Sequence, residues 1–109
     1  MKSVLRERYR YLLIKISSEK KYEKVEFEKN LKKEIIKIVG EINYPKIMPK
    51  IISYNNEKVI IRVRRDGLEL TKIAIPLIRK FNEEDIHLQI VFISGTLKKL
   101  GKEAKEMGL

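Results

Sequence analysis

Six of the seven arginines in this 109-residue chain fall in two short groups, although lysine is otherwise its preferred cation. Arg6, Arg8 and Arg10 stand near the start, and Arg62, Arg64 and Arg65 near the middle. Guanidinium groups are planar forks that grip phosphate oxygens in pairs, whereas ammonium groups act as mobile point charges. Two arginine clusters in a lysine-rich chain therefore point to phosphate contact. A third basic group, Lys98 and Lys99 with Lys102 and Lys105, follows the segment SGTLKKL (Ser94 to Leu100). There Gly95 permits a tight exit from a strand, and Ser94 or Thr96 can cap a following helix. The uncovered amides, with Lys98 and Lys99 nearby, would form an anion site. The same residues also read as an ordinary helix cap. The candidate RNA-binding residues are thus Arg6, Arg8, Arg10, Arg62, Arg64, Arg65, Thr96, Lys98 and Lys99.

The whole chain agrees with that chemistry. Its formal net charge is +10, with a sequence pI near 9.8, and a domain this basic repels itself unless it sits against a polyanion. A lysine- and isoleucine-rich composition of hyperthermophile type explains part of the excess, but not the grouping of the arginines. Catalytic inventory is thin. No cysteine is present and His87 is the one histidine, which disfavours thiolate metal sites, disulfides, most zinc chemistry and Ser/His triads. A lone histidine on a strand is more often structural than catalytic. No catalytic residue, bound metal or cofactor is expected of the chain itself. No segment approaches the roughly 20 apolar residues of a membrane span, and no signal sequence is visible, so a cytoplasmic location is expected.

The elements that must position these residues follow from apolar spacing. RYLLIKI (Arg10 to Ile16) alternates as a strand with Leu12, Ile14 and Ile16 on its core face. Leu31, Ile35, Ile38, Val39 and Ile42 recur at helical intervals, predicting a helix from about Lys24 to Asn43 that Gly40 weakens near its end. KIMPKIISYNNEKVIIRVRR reads as a hairpin turning at Asn55 to Glu57, where asparagines can take a positive φ. Pro49 places its first strand at the sheet margin. Val59, Ile61 and Val63 share one face of the second strand, and Ile60, Arg62 and Arg64 the other. Leu70, Ile73, Ala74, Leu77 and Phe81 mark a second helix from about Leu68 to Phe81. Within it, Pro76 implies either a kink or a fresh helical start. A last strand, Ile86 to about Ile93, puts Ile86, Leu88, Ile90 and Phe92 on one face and His87, Gln89, Val91 and Ile93 on the other. Leu97 to Met107 reads as a basic C-terminal helix.

The order βαββαβ plus a helix predicts an α+β, ferredoxin-like (RRM-like) sandwich: two helices on one face of a four-stranded antiparallel sheet, in one domain spanning residues 1–109. The other sheet face is left open to a partner.

SGTLKKL after a β-rich run, RYRYLLIKI near the start and VIIRVRR before a second helix together resemble ribonuclease P protein component 2 of archaea. That family is related to a eukaryotic subunit of the same particle. The likeness runs from Arg8 to Leu100 and implies the ferredoxin-like fold. It also implies a protein subunit of the ribonucleoprotein that removes the 5′ leader from precursor tRNA. The chain would be part of an endoribonuclease only within the complex, with catalysis and magnesium ions belonging to the RNA subunit. Implied partners are ribonuclease P RNA, protein component 3 in a heterotetramer, the other ribonuclease P proteins and the precursor tRNA substrate. On the same likeness Arg62 and Arg65 fall on arginine positions of the third strand, and Ser94 to Leu100 on the C-terminal motif. Two readings compete. An RNA-recognition module of the same fold would stack bases on aromatics of its central strands, and VIIRVRR carries none. An acylphosphatase-like enzyme would need an arginine in the first loop, which here reads SSEKKYEK. Another RNA-binding or ribonucleoprotein assembly module without ribonuclease P activity is the main alternative.

Overall fold

A computed structural model describes residues 8–100. Alternation along RYLLIKI builds the central strand β1 (Tyr9–Ser17), with Leu12, Ile14 and Ile16 in the main core. Helix α1 (Lys24–Val39) buries Phe27, Leu31 and Ile35 against it. This helix stops four residues short of the expected Asn43. Gly40 takes a φ of 86° and its amide bonds Ile36 O at 2.8 Å, which closes the last turn, because glycine enters this region without a Cβ penalty. Pro45 instead opens a separate short helix, α2 (Tyr44–Ile47), where its fixed φ suits the first turn.

Strands β2 (Lys50–Asn55) and β3 (Lys58–Arg64) form the expected hairpin. Its turn does not use left-handed asparagines: neither Asn55 nor Asn56 has a positive φ. Asn55 Oδ1 accepts from the amides of Glu57 (2.8 Å) and Lys58 (3.0 Å), so a side-chain carbonyl replaces the backbone one. After a 3-10 turn (Arg65–Gly67), helix α3 (Leu68–Leu77) packs its Ala74 and Ile75 inward. The expected stripe was rotated. Ile73 and Leu77 are 61% and 58% exposed, while Thr71, Ala74, Ile75 and Ile78 are buried. Apolar residues on every side but the one carrying Glu69 and Lys72 leave the inward face ill-defined by periodicity alone. Helix α3 runs through Pro76 and ends one residue later, so the proline deletes a hydrogen bond only in the final turn. A short hairpin that the periodicity did not show, β4 (Lys80–Phe81) and β5 (Glu84–Asp85), precedes β6 (His87–Ser94).

The sheet order is β2-β3-β1-β6, all pairs antiparallel, which is the βαββαβ arrangement expected, with β2 at a margin as Pro49 implied. Both edge strands carry a bulge. On β6 the register shifts opposite Leu13 and Ile14, which pair with Phe92 and Ile90. Val91 is the extra residue. A bulge flips the alternation beyond it, so Phe92 goes to the open face and Ile93 to the core side, the reverse of the strict period-2 reading.

Candidate nucleic-acid interface

Strand β1 is antiparallel to β3 and β6, so its start lies beside the ends of both; the start of β2 lies beside the end of β3 in the same way. Topology therefore gathers three basic segments, separate in sequence, at one end of the sheet. Arg65 N donates to Arg8 O at 2.7 Å. Tyr9 faces Arg64 and Tyr11 faces both Arg62 and Ser94. Arg10, opposite the core residue Val63, points to the helix side of β1. Its Nη1 donates to Tyr9 O at 2.9 Å and lies 3.9 Å from where a Cβ on Gly95 would stand. Arg62 and Arg64 project on the open face, whereas Arg65 lies beyond the strand in the 3-10 turn. Arg6 lies outside the described residues, as do Lys102, Lys105 and the rest of the expected C-terminal helix beyond Leu100.

The SGTLKKL segment caps itself. Ser94 Oγ accepts from Thr96 N at 3.1 Å, and Thr96 Oγ1 accepts from Lys99 N at 3.3 Å. Two amides that an anion would use are thus committed inside the protein, and what remains for a ligand is the exposed Lys98 and Lys99 side chains. Residues 97–100 are helical, and Leu100 is fully buried against Leu13, with Tyr11, Ile60, Val91 and Phe92 packed around them. The middle of the open sheet face is therefore covered by the chain's own C-terminal segment, and is not free as its apolar residues implied.

What stays open is the basic corner beside it. Lys50 pairs with Arg62 across the strands, two like charges opposed, which is unfavourable by itself. A bulge at Ile52 brings this about, since Ile51 pairs with Ile61 but Ser53 with Ile60. Simple counting back from the turn would set Lys50 against Val63, on the wrong face. The Arg62 guanidinium lies over the Tyr9 ring at 4.2 Å, and its Nε is buried with no hydrogen-bond partner. Tyr9, Lys50, Arg62, Arg64, Met48, Pro49, Glu28 and Lys32 line a cleft of about 390 Å³. Its one carboxylate, Glu28, is already engaged by Ile51 N (3.4 Å) and Lys32 Nζ (3.8 Å). Sequence reasoning named the arginines but missed Lys50 and Met48, which a bulge and a helix cap bring in without a periodic signature, and Lys32, which only the packing of α1 beside the β2 edge places here.

Among the described residues no group of three or more His, Asp or Glu side chains is assembled that could hold a metal ion, and no helix is long and apolar enough to cross a membrane. Fold and corner together define a basic ferredoxin-like module with surplus cations at one end of its sheet. The Rpp14/Pop5 family model matches residues 10–105, and the chain belongs to that family. It is similar to ribonuclease P protein component 2 of Methanocaldococcus jannaschii, 28% identical over 95 residues covering 87% of this chain and 71% of the relative. The protein of the same name from Pyrococcus horikoshii is 27% identical over 101 residues, covering 91% of this chain and 84% of the relative. A chain in a cryo-EM structure of yeast ribonuclease MRP superposes with a TM-score of 0.71, covering 93% of this chain and 94% of that one at 13% identity, which shows a shared fold.

Proposed function

We propose that this chain is a protein subunit of ribonuclease P that supports the catalytic RNA in removing the 5′ leader from precursor tRNA, with its basic end against the RNA. The observation that carries this reading, beside the family, is the convergence of the Arg8–Arg10, Arg62–Arg65 and Lys98–Lys99 segments on one end of the sheet. Phosphate contacts of this kind position a protein on RNA without reading sequence. The chain contributes placement and charge neutralisation, while hydrolysis and its magnesium ions belong to the RNA. Protein component 3 is the proposed protein partner, in a heterotetramer, and the exposed Ile73 and Leu77 of α3 offer apolar surface for a protein contact. The proposed location is the cytoplasm.

Reconstitution tests this. Adding the chain with component 3 to the cognate RNA is expected to raise 5′-leader removal at low magnesium, while the protein without RNA cleaves nothing. Cleavage by RNA-free protein would overturn the division of labour. RNA binding with no gain in leader removal would favour an assembly module without ribonuclease P activity. Light scattering of the mixed proteins is expected to show a complex of both chains.

A further inference from the structure

The corner cleft has a composition that general charge attraction does not explain. Its cations are Lys32, Lys50, Arg62 and Arg64, but Tyr9, Met48 and Pro49 give it an apolar wall. Surplus charge alone would be served as well by a flat surface. Three further observations converge here. The Arg62 Nε is buried without a partner, although an unsatisfied buried donor is costly. Lys50 and Arg62 are opposed across the strands, and the one carboxylate of the cleft, Glu28, is already paired with Lys32. Met48, at the lip, holds a left-handed backbone with φ 44° and ψ 64°, a conformation that non-glycine residues adopt at a cost and that recurs at ligand clamps.

Resting on the RNA-contact reading above, we propose that this cleft receives a single unstacked nucleotide, and so takes a nucleoside monophosphate unit in place of a stretch of duplex backbone. Lys50, Lys32 and Arg64 neutralise the phosphate. Tyr9, Met48 and Pro49 contact the sugar and base, and Arg62, held over the Tyr9 ring, presents its remaining donors to the ligand. Aromatic and guanidinium planes are the groups on which unpaired bases stack. A volume of about 390 Å³ falls at the small end of the range of about 300–1,000 Å³ typical of small-molecule pockets.

The test uses the isotope-labelled full chain, titrated in turn with adenosine and uridine 5′-monophosphate, inorganic phosphate and a short glutamate peptide, and monitored by amide chemical shifts. A nucleoside monophosphate is expected to move the amides of Tyr9, Met48, Lys50, Arg62 and Arg64 at concentrations where inorganic phosphate does not. Tyr9→Leu is expected to weaken that binding about tenfold, the scale of one stacked base. The same variant should leave the salt dependence of binding to long RNA unchanged, since no charge is lost. Equal response to phosphate would reduce the cleft to a plain anion site and overturn the proposal, as would a stronger response to the acidic peptide. Undiminished binding of long RNA with no nucleotide response in the cleft would overturn it while leaving the RNA reading intact. Failure of long RNA to bind at all would remove that reading too.

Discussion

The two ends of the sheet solve the problem of polar groups in opposite ways. At the far end, Tyr22, Phe27, Phe81 and Tyr54 stack with centroid distances of 5.5 Å (Tyr22–Phe81), 5.3 Å (Phe27–Phe81) and 4.8 Å (Phe27–Tyr54). The loops there are tied by internal bonds. Tyr22 N donates to Asn56 Oδ1 at 3.0 Å, Tyr54 Oη donates to Tyr22 O at 2.8 Å, and Ile16 N donates to Glu57 O at 2.8 Å. Even an exposed cation, Lys80, has its carboxylate, Asp85, at 2.9 Å. At the basic end, among the described residues, Arg62 lies over an aromatic ring with its Nε unpartnered, Lys50 faces Arg62, and Lys98 and Lys99 are exposed. One end ties its loops together within the chain and fixes the fold, with the Tyr22 hydroxyl as its one buried orphan. The other leaves Lys50 and Arg62 opposed and Lys98 and Lys99 exposed, which suits the polyanion contact proposed above.

Breaking the far end is expected to have the largest effect. Phe27 is fully buried and touches both Tyr54 and Phe81, so Phe27→Ala is expected to destabilise by about 3–5 kcal/mol. Thermal unfolding followed by circular dichroism checks this, and RNA affinity per folded molecule should hardly change below the transition. If it fell in proportion, the two ends would not be separable.

Next in size is Gly67, where the basic end depends on a close approach. A Cβ there would meet Lys46 O, Lys46 C and Ile47 Cα at 2.3, 2.6 and 2.7 Å, all backbone atoms that cannot swing aside. Gly67→Ala is expected to lose about 1–3 kcal/mol and to displace the turn carrying Arg65. Unlike Phe27→Ala, it should therefore also weaken RNA binding at temperatures where the protein is folded.

The order of elements and the arginine-rich strand end were legible in sequence because period-2 and period-3.6 patterns report backbone and face together. Leu12, Ile14 and Ile16 lie in the core as their spacing required. What was not legible came from single-residue events. The Val91 bulge sends Phe92 to the open face, the Ile52 bulge sets Lys50 against Arg62, and Leu100 folds back over Leu13. A bulge leaves no trace in composition, and a segment folding back onto a sheet is set by tertiary packing. The arginines could therefore be named from the sequence, while the cleft around Arg62 could not.

Removing charge without touching the core comes third. Arg62→Ala with Arg64→Ala is expected to reduce the slope of log affinity against log salt by about 1–2, in line with two lost phosphate contacts. Stability should stay level or rise slightly, because the Lys50–Arg62 opposition is relieved. A salt slope equal to that of the unmodified chain would mean that RNA approaches elsewhere, and would leave Arg8, Lys98 and Lys99 to carry the contact.

The smallest effect sharpens the contrast from the far side. The Tyr22 hydroxyl is the one polar atom of the aromatic cluster that is buried without a partner. Burial, and then the nearby carboxylates of Glu84 and Glu26, hold its pKa above the ordinary tyrosine value. A raised pKa in the folded state means that the neutral phenol is favoured by folding. Its contribution is therefore fully present below the unfolded value near pH 10 and is lost as pH rises through the folded one. Tyr22→Phe removes the orphan hydroxyl but keeps the ring against Phe81. It is expected to change stability at neutral pH by less than about 1 kcal/mol, toward greater stability, and to reduce the loss of stability on alkaline titration. Tyr54, whose hydroxyl donates to Tyr22 O, gives the control. Tyr54→Phe also removes a titrating group, but it deletes a made bond, and so should destabilise at neutral pH. Equal effects from the two substitutions would mean that the Tyr22 hydroxyl does find a partner in solution, and that the far end pairs its polar groups completely.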